Sequence, residues 1–281
     1  MTDQQARYDD IADGYAEWWS PVHRPGTLGL LDEIAPTVAA GARRILDIGC
    51  GTGAMAVAAV TRWPDVELDG IDPSSGMLAI ADREAAALPP QQRDRLRFRQ
   101  ALADGLPFED RTFDIAASAF VLQLVPSRFR ALREMRRVLR TGGRLAYVLW
   151  LRGGERFAGD AVYDEARVEV GLEPRWADED ENGEPLDDHD DVPSPEAAVA
   201  QLRRAGFAEA RARADLLVHP FTPEGYVGFV ARFDDEDEWA ALGRGRRNAL
   251  EHVLLERLRR LPPERLVMRM PIVYATGVRA R

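Results

Sequence analysis

The stretch Ile45-Leu46-Asp47-Ile48-Gly49-Cys50-Gly51-Thr52-Gly53-Ala54 constrains this chain more than any other. A short apolar run ends in glycines at alternate positions, and an Ala-rich helical segment follows through Arg62 until Pro64 stops it. Strand, glycine loop and helix together open a βαβ unit, with glycine where backbone must turn sharply or approach a ligand. Strand-like and helix-like segments keep alternating after it. Val66–Ile71, Leu96–Gln100, Phe113–Ala119 and Arg144–Leu151 read as strands, the third buried on both faces. Between them, Ser74 or Ser75 can cap a helix through Met77–Arg83, and a second helix over Ser127–Leu139 is expected to end at Gly142-Gly143. This order predicts an α/β fold, a doubly wound and mostly parallel sheet.

Beyond residue 150 the texture changes. Asp178–Asp191 carries Asp or Glu at most positions, near Asn182-Gly183, Pro185 and Pro193, and predicts a solvated acidic insertion over 152–193. Its spacing does not match a calcium loop. Ser194–Ala205 reads as a helix capped by Ser194, with Pro195 in its first position. Ala208–Val218 reads as a sixth strand, and Thr222–Phe233 with Glu236–Leu261 as a helical cap over 220–262. Leu266–Val278 closes the pattern, and Pro271 within it predicts a strand start or a sheet edge.

Composition narrows the function. The 281 residues suit a single domain over 1–281. A formal charge of −10 disfavours nucleic acid, whose phosphates demand clustered Lys and Arg. Cys50 is the sole cysteine, which rules out an intrachain disulfide and a Cys-rich zinc site, and no metal is expected. The polar N-terminus lacks the apolar core of a signal peptide, and no apolar run reaches membrane-spanning length. The expectation is a cytoplasmic protein without a membrane span; its oligomeric state is open.

Two ligands suit a strand followed by Gly-x-Gly. Gly49-Cys50-Gly51-Thr52-Gly53-Ala54 satisfies the looser dinucleotide fingerprint, which would make the protein an NAD(P)-dependent oxidoreductase. Asp72, at the end of the next strand, suits either ligand by accepting from ribose hydroxyls. Asp47 favours the other ligand. A carboxylate two residues before the first glycine would repel a pyrophosphate, whereas it can pair with the ammonium of S-adenosylmethionine.

Four segments in order, over about residues 8–150, resemble the class I S-adenosylmethionine-dependent methyltransferases, especially the ubiquinone/menaquinone C-methyltransferase branch. They are Tyr8-Asp9-Asp10-Ile11-Ala12 with Tyr15; Asp47 to Gly53; Gly70-Ile71-Asp72-Pro73-Ser74-Ser75-Gly76-Met77-Leu78; and Leu106-Pro107-Phe108-Glu109-Asp110 through Phe113-Asp114 to Arg133–Gly143. The resemblance implies a seven-stranded Rossmann-like sheet with an antiparallel last strand, an N-terminal helical lid over 1–40 and the helical cap. It implies that Asp47, Gly49, Gly51 and Gly53 form the methionyl loop, that Asp72 binds ribose and that Met77 packs on adenine. Ala119 to Gln123 would line the reaction chamber. The family's usual Asp four positions before Leu-Pro-Phe is replaced by Leu102, so either Asp104 takes over or backbone at Leu102 and Ala103 reads the adenine.

Methyl transfer is an in-line displacement at a carbon already activated by positive sulfur, so alignment and exclusion of water are the main requirements. No dedicated catalytic motif is present. His23, Tyr15 and His219 are the candidate bases, each with a non-catalytic explanation as solvent-facing or packing residues. Tyr8, Tyr15, Trp18 and Trp19 can wall the site or simply pack the N-terminal helix, and Gln123 can orient a substrate or cap a helix start. The sequence therefore predicts methyl transfer to O, N or C of a small-molecule metabolite. A non-catalytic module that binds S-adenosylmethionine or its demethylated product remains an alternative.

Overall fold

In the computed structural model, which describes residues 3–175 and 191–280, the glycine loop opens a seven-stranded sheet of order β3-β2-β1-β4-β5-β7-β6. The strands are β1 (Arg44–Ile48), β2 (Glu67–Asp72), β3 (Leu96–Gln100), β4 (Phe113–Ala119), β5 (Leu139–Trp150), β6 (Phe207–Pro220) and β7 (Val267–Arg279). β1 to β5 run parallel, and β7 is antiparallel to both β5 and β6. The helices are α1 (Asp3–Asp10), α2 (Ala12–Gly14), α3 (Ser20–Ala39), α4 (Ala54–Arg62), α5 (Ser75–Ala86), α6 (Pro90–Arg93), α7 (Arg128–Val138), α8 (Ala158–Glu169), α9 (Pro195–Arg204), α10 (Pro223–Phe229), α11 (Glu236–Ala241) and α12 (Arg244–Arg260). Two single π turns, Tyr15–Trp19 and Val230–Asp234, interrupt the helical segments. No helix among the described residues is long and apolar enough to cross a membrane.

The alternation of strand side chains splits the core in two. Ile45, Ile115, Ala146 and Val148 face the side covered by α3 and α4, where Leu30, Ile34, Met55 and Val60 are fully or nearly fully buried. Their neighbours Leu46, Ala116, Leu145 and Tyr147 face α7 and α9, against Leu132, Met135 and Leu202. Because both faces are covered, the central strands read as continuous apolar runs. Local capping follows the sequence: the Ser74 side chain accepts from Met77 N–H, Ser127 from Arg130 N–H and Ser194 from Ala197 N–H.

Several expectations need correction. α7 does not end at a glycine: Leu139 is already extended and pairs with Phe113, and the turn carrying Gly142 at φ +81° bulges out before Arg144 meets Ile115. Pro271 lies inside β7, an interior strand. Its carbonyl accepts from Leu151 N–H, so its nitrogen also faces the β5 side, just past the end of that strand at Trp150. The missing donor therefore breaks no ladder bond to β6. Within 152–193, residues 158–169 form α8, which packs on α12, whereas His189 and most of the acidic run lie outside the described residues.

Candidate active site

At the carboxyl ends of the parallel strands lies a cavity of about 310 Å³, between the glycine loop and the N-terminal helices. This is where ligands bind in doubly wound sheets, beside the point at which strand order reverses from β1. Tyr8, Tyr15, Trp19, His23, Gly49, Gly51, Asp72, Met77, Leu102, Ala103, Ala119 and Gln123 all line it. A smaller pocket adjoins it around Asp47, sharing Tyr15, His23, Gly49, Gly51 and Ala119 with the large one.

The loop geometry explains its glycines. Gly49 N–H and Cys50 N–H both donate to the Ile71 carbonyl, at 2.7 and 2.8 Å, turning the chain sharply off β1. Gly49 and Gly51 hold φ of +71° and +52°, where only glycine sits without strain. A Cβ on Gly49 would lie 2.2 Å from Val121, while one on Gly51 would meet no heavy atom within 4 Å. Gly51 therefore offers bare backbone to a ligand. Gly53 lines neither pocket; it precedes α4 in the left-handed region, packed against Ala81. Cys50 is a buried packing residue beside Gly70.

Asp47 and Asp72 supply the buried negative charge. Asp72 accepts from Gly51 N–H and Ser74 N–H, both at 2.9 Å, and each oxygen keeps a lone pair for another donor. Burial still pushes it up to about 6. Asp47 is 2% exposed, its Oδ2 has no partner, and burial together with Asp72 pushes it up to about 8. An unpartnered carboxylate oxygen buried at such a pocket fits a cation, since an ammonium would restore both charge and hydrogen bond. It does not fit a pyrophosphate.

At one end of the cavity Ala101 to Asp104 turn across it, closed by a Gly105 N–H to Leu102 carbonyl bond of 3.3 Å. Leu102 is 47% exposed and Ala103 buried, and the Asp104 position expected as a substitute also lines the cavity. Met77 is buried behind it at the start of α5.

The opposite end is an aromatic box. His23 stacks on Phe120 at 4.7 Å and meets Trp19 at 4.4 Å and Trp150 at 5.3 Å. Trp19 stacks in turn on Phe229 and Phe233 of the cap. The two π turns face each other here and set these rings, consistent with the use of such turns at functional sites. Phe120, just past β4, has φ +57°, a strained conformation for a bulky residue that turns the chain into the cavity wall. Gln123 donates through Nε2 to the Phe120 carbonyl at 2.9 Å, leaving a buried Oε1 without a partner. His219 is not brought here; it sits half-buried on β6 against Phe221.

Two contributors escaped the sequence reading. Trp150 ends β5, and only the sheet register aims it into the cavity. Asp9 Oδ1 accepts from Ser74 Oγ, Ser75 Oγ and Gly76 N–H, fastening α1 to the start of α5. The quoted Tyr8-Asp9-Asp10 motif was the available signal.

Residues 45–143 match the family model for a methyltransferase domain. A demethylmenaquinone methyltransferase of Symbiobacterium thermophilum is 34% identical over 146 residues, 49% of this chain and 55% of that protein. A 27-O-demethylrifamycin SV methyltransferase of Amycolatopsis mediterranei is 34% identical over 139 residues, 49% of this chain and 50% of that protein. The chain thus spans about half the length of these curated relatives. The YcgJ protein of Bacillus subtilis shares the fold, with a TM-score of 0.56 at 20% identity over 91% of this chain and 99% of its own. Segment and fold agree: residues 45–143 are similar to a methyltransferase domain, and among curated proteins to the ubiquinone/menaquinone C-methyltransferases.

Proposed function

We propose that the protein transfers the methyl group of S-adenosylmethionine to a neutral small-molecule acceptor. The observation that carries this reading is the buried, unpartnered Asp47 Oδ2, in a small pocket that adjoins a larger, mostly apolar cavity. Asp47 would hold the ammonium of the donor, Gly49 and Gly51 would admit its backbone-like portion, and Asp72 would bind its ribose hydroxyls. Met77 and the turn at Leu102, Ala103 and Asp104 would enclose the adenine. The acceptor would lie among Tyr15, Trp19, Gln123 and Trp150. Neither Lys nor Arg lines the large cavity among the described residues, which supports an acceptor without a negative charge. The rings also favour the sulfonium charge itself.

In this reading residues 1–40 act as a lid and 220–262 as a cap, with 152–193 an insertion beside them. The acidic charge balance supports the absence of a nucleic-acid partner, and the lone cysteine supports a cytoplasmic setting.

Calorimetric titration with S-adenosylhomocysteine, with NADH and NADPH in parallel, tests the donor. Saturable one-site binding of S-adenosylhomocysteine alone is expected. Binding of a dinucleotide instead would refute the assignment of Asp47.

A further inference from the structure

A methyl acceptor that carries a proton must lose it during transfer. His23 lines both the large cavity and the pocket at Asp47, and is the one imidazole among the described residues that does so. Its ring is 7% exposed and is gripped by Phe120, Trp19 and Trp150. Nδ1 lies 3.2 Å from the Tyr15 hydroxyl oxygen, and Nε2 is buried without a partner. The other titratable or charged groups lining the two pockets are Tyr8, Arg24, Asp47, Cys50, Asp72 and Asp104.

The 3.2 Å contact between Tyr15 and Nδ1 forms in either tautomer, and with Nδ1–H as the donor it leaves Nε2 its lone pair. The other tautomer would also bury an unpaired N–H, which folded proteins rarely tolerate. Burial keeps the ring neutral, pushing it down to about 3. Nε2 is thus the unpartnered nitrogen of a ring that lines both pockets.

We infer that His23 accepts the acceptor's proton at Nε2, with Tyr15 as the positioning residue that holds Nδ1 protonated; the inference rests on the methyl-transfer reading. As the acceptor atom bonds to the methyl carbon, the carbon–sulfur bond breaks with its electron pair left on sulfur. The acceptor's proton passes to Nε2. Positive charge moves from sulfur to the imidazole within the same aromatic walls, so the net charge of the cavity does not change. That exchange offsets the burial that otherwise keeps His23 neutral.

The protein has four histidines, so a variant with His189, His219 and His252 each changed to Gln leaves His23 alone. Nitrogen-15 spectra of that protein in complex with S-adenosylhomocysteine read the tautomer directly. A neutral ring protonated at Nδ1 is expected, and Tyr15→Phe should shift the population toward the Nε2–H form. Replacing the ligand by sinefungin, which carries an amine where the transferred methyl sits, should move the Nε2 resonance. A ring protonated at Nε2 in the parent, a doubly protonated ring, or an Nε2 resonance identical in both complexes would each overturn the assignment of His23. Failure of both ligands to bind would instead overturn the methyl-transfer reading. If the triple substitution unfolds the protein, the same spectra of the parent carry the test, with the four rings assigned from single substitutions.

Discussion

Asp9 and Gly76 are 67 positions apart, yet the Asp9 carboxylate accepts from the Gly76 N–H at 2.9 Å. That bond, with those to Ser74 and Ser75, lowers the Asp9 pKa and closes the N-terminal helices over the cavity. Asp9→Ala should loosen the lid while leaving the sheet intact. We expect S-adenosylhomocysteine affinity to fall about 5- to 30-fold, the equivalent of ~1–2 kcal/mol for a lost cap-type bond. Calorimetry, with limited proteolysis of the first helices, checks both parts, and an unchanged affinity would refute the lid's role.

Asp47 gives the unliganded protein an unusual pH response. Its folded pKa, about 8, lies above that of the unfolded chain, so the folded state holds a proton that the unfolded state releases. The contribution is fully present below about pH 4 and is lost as pH rises toward 8. Asp47→Asn should therefore gain stability relative to the parent at pH 8, by on the order of a few kcal/mol, and show little gain at pH 4. Denaturant melts at both pH values measure it.

Ligand binding should reverse that protonation. An ammonium beside Asp47 favours the carboxylate, so S-adenosylhomocysteine binding near pH 6 should release about one proton. Titrations in buffers of different ionisation enthalpy count it. Release that does not change between pH 6 and pH 9 would show that Asp47 does not meet the ligand's charge.

The glycines of the loop should separate in mutation. Gly49→Ala meets Val121 at 2.2 Å and a left-handed backbone, so it should destabilise the fold by ~2–4 kcal/mol. Gly51→Ala meets open space, and its backbone strain of ~1–2 kcal/mol should leave the protein folded while its methyl blocks the ligand. Thermal melts and binding isotherms of both variants distinguish these outcomes.

Arg167 is 4% exposed and joins α8 to the cap through Asp235 at 2.8 Å and Glu238 at 2.7 Å, with Trp239 donating to the adjoining Tyr163 hydroxyl. Arg167→Met removes the buried cation, leaving Asp235 to the Tyr163 hydroxyl and Arg175 and the part-exposed Glu238 to water. We expect a loss of ~1.5–3 kcal/mol in urea unfolding, the scale of lost hydrogen bonds to charged groups.

The legible parts of this fold are those decided over a few neighbouring residues. The glycine loop at Asp47, the caps at Ser74 and Ser194, and the limits of β3 and β4 follow from local chemistry. Helix α8 was hidden because the stretch after Trp150 reads as an insertion, and the partners that hold it, Asp235, Glu238 and α12, lie 68 or more positions on in the sequence. Pro271 misled because its cost depends on where β5 stops, which no local pattern around β7 records. In the site, the family resemblance pointed to residues that, Gly53 apart, line one or the other pocket. Trp150 and the Tyr15–His23 pair required register and packing to be seen.

The placement of β7 between β5 and β6 bears on how the molecule assembles. Of the seven strands, the one latest in sequence fills an interior slot, hydrogen-bonded along both sides. Until it arrives, β5 presents a bare edge and β6 has no partner in the sheet. Such distant pairing slows folding and leaves sticky edges exposed meanwhile. The parallel half that carries the glycine loop can therefore form first, while completion of the antiparallel half waits on Val267–Arg279.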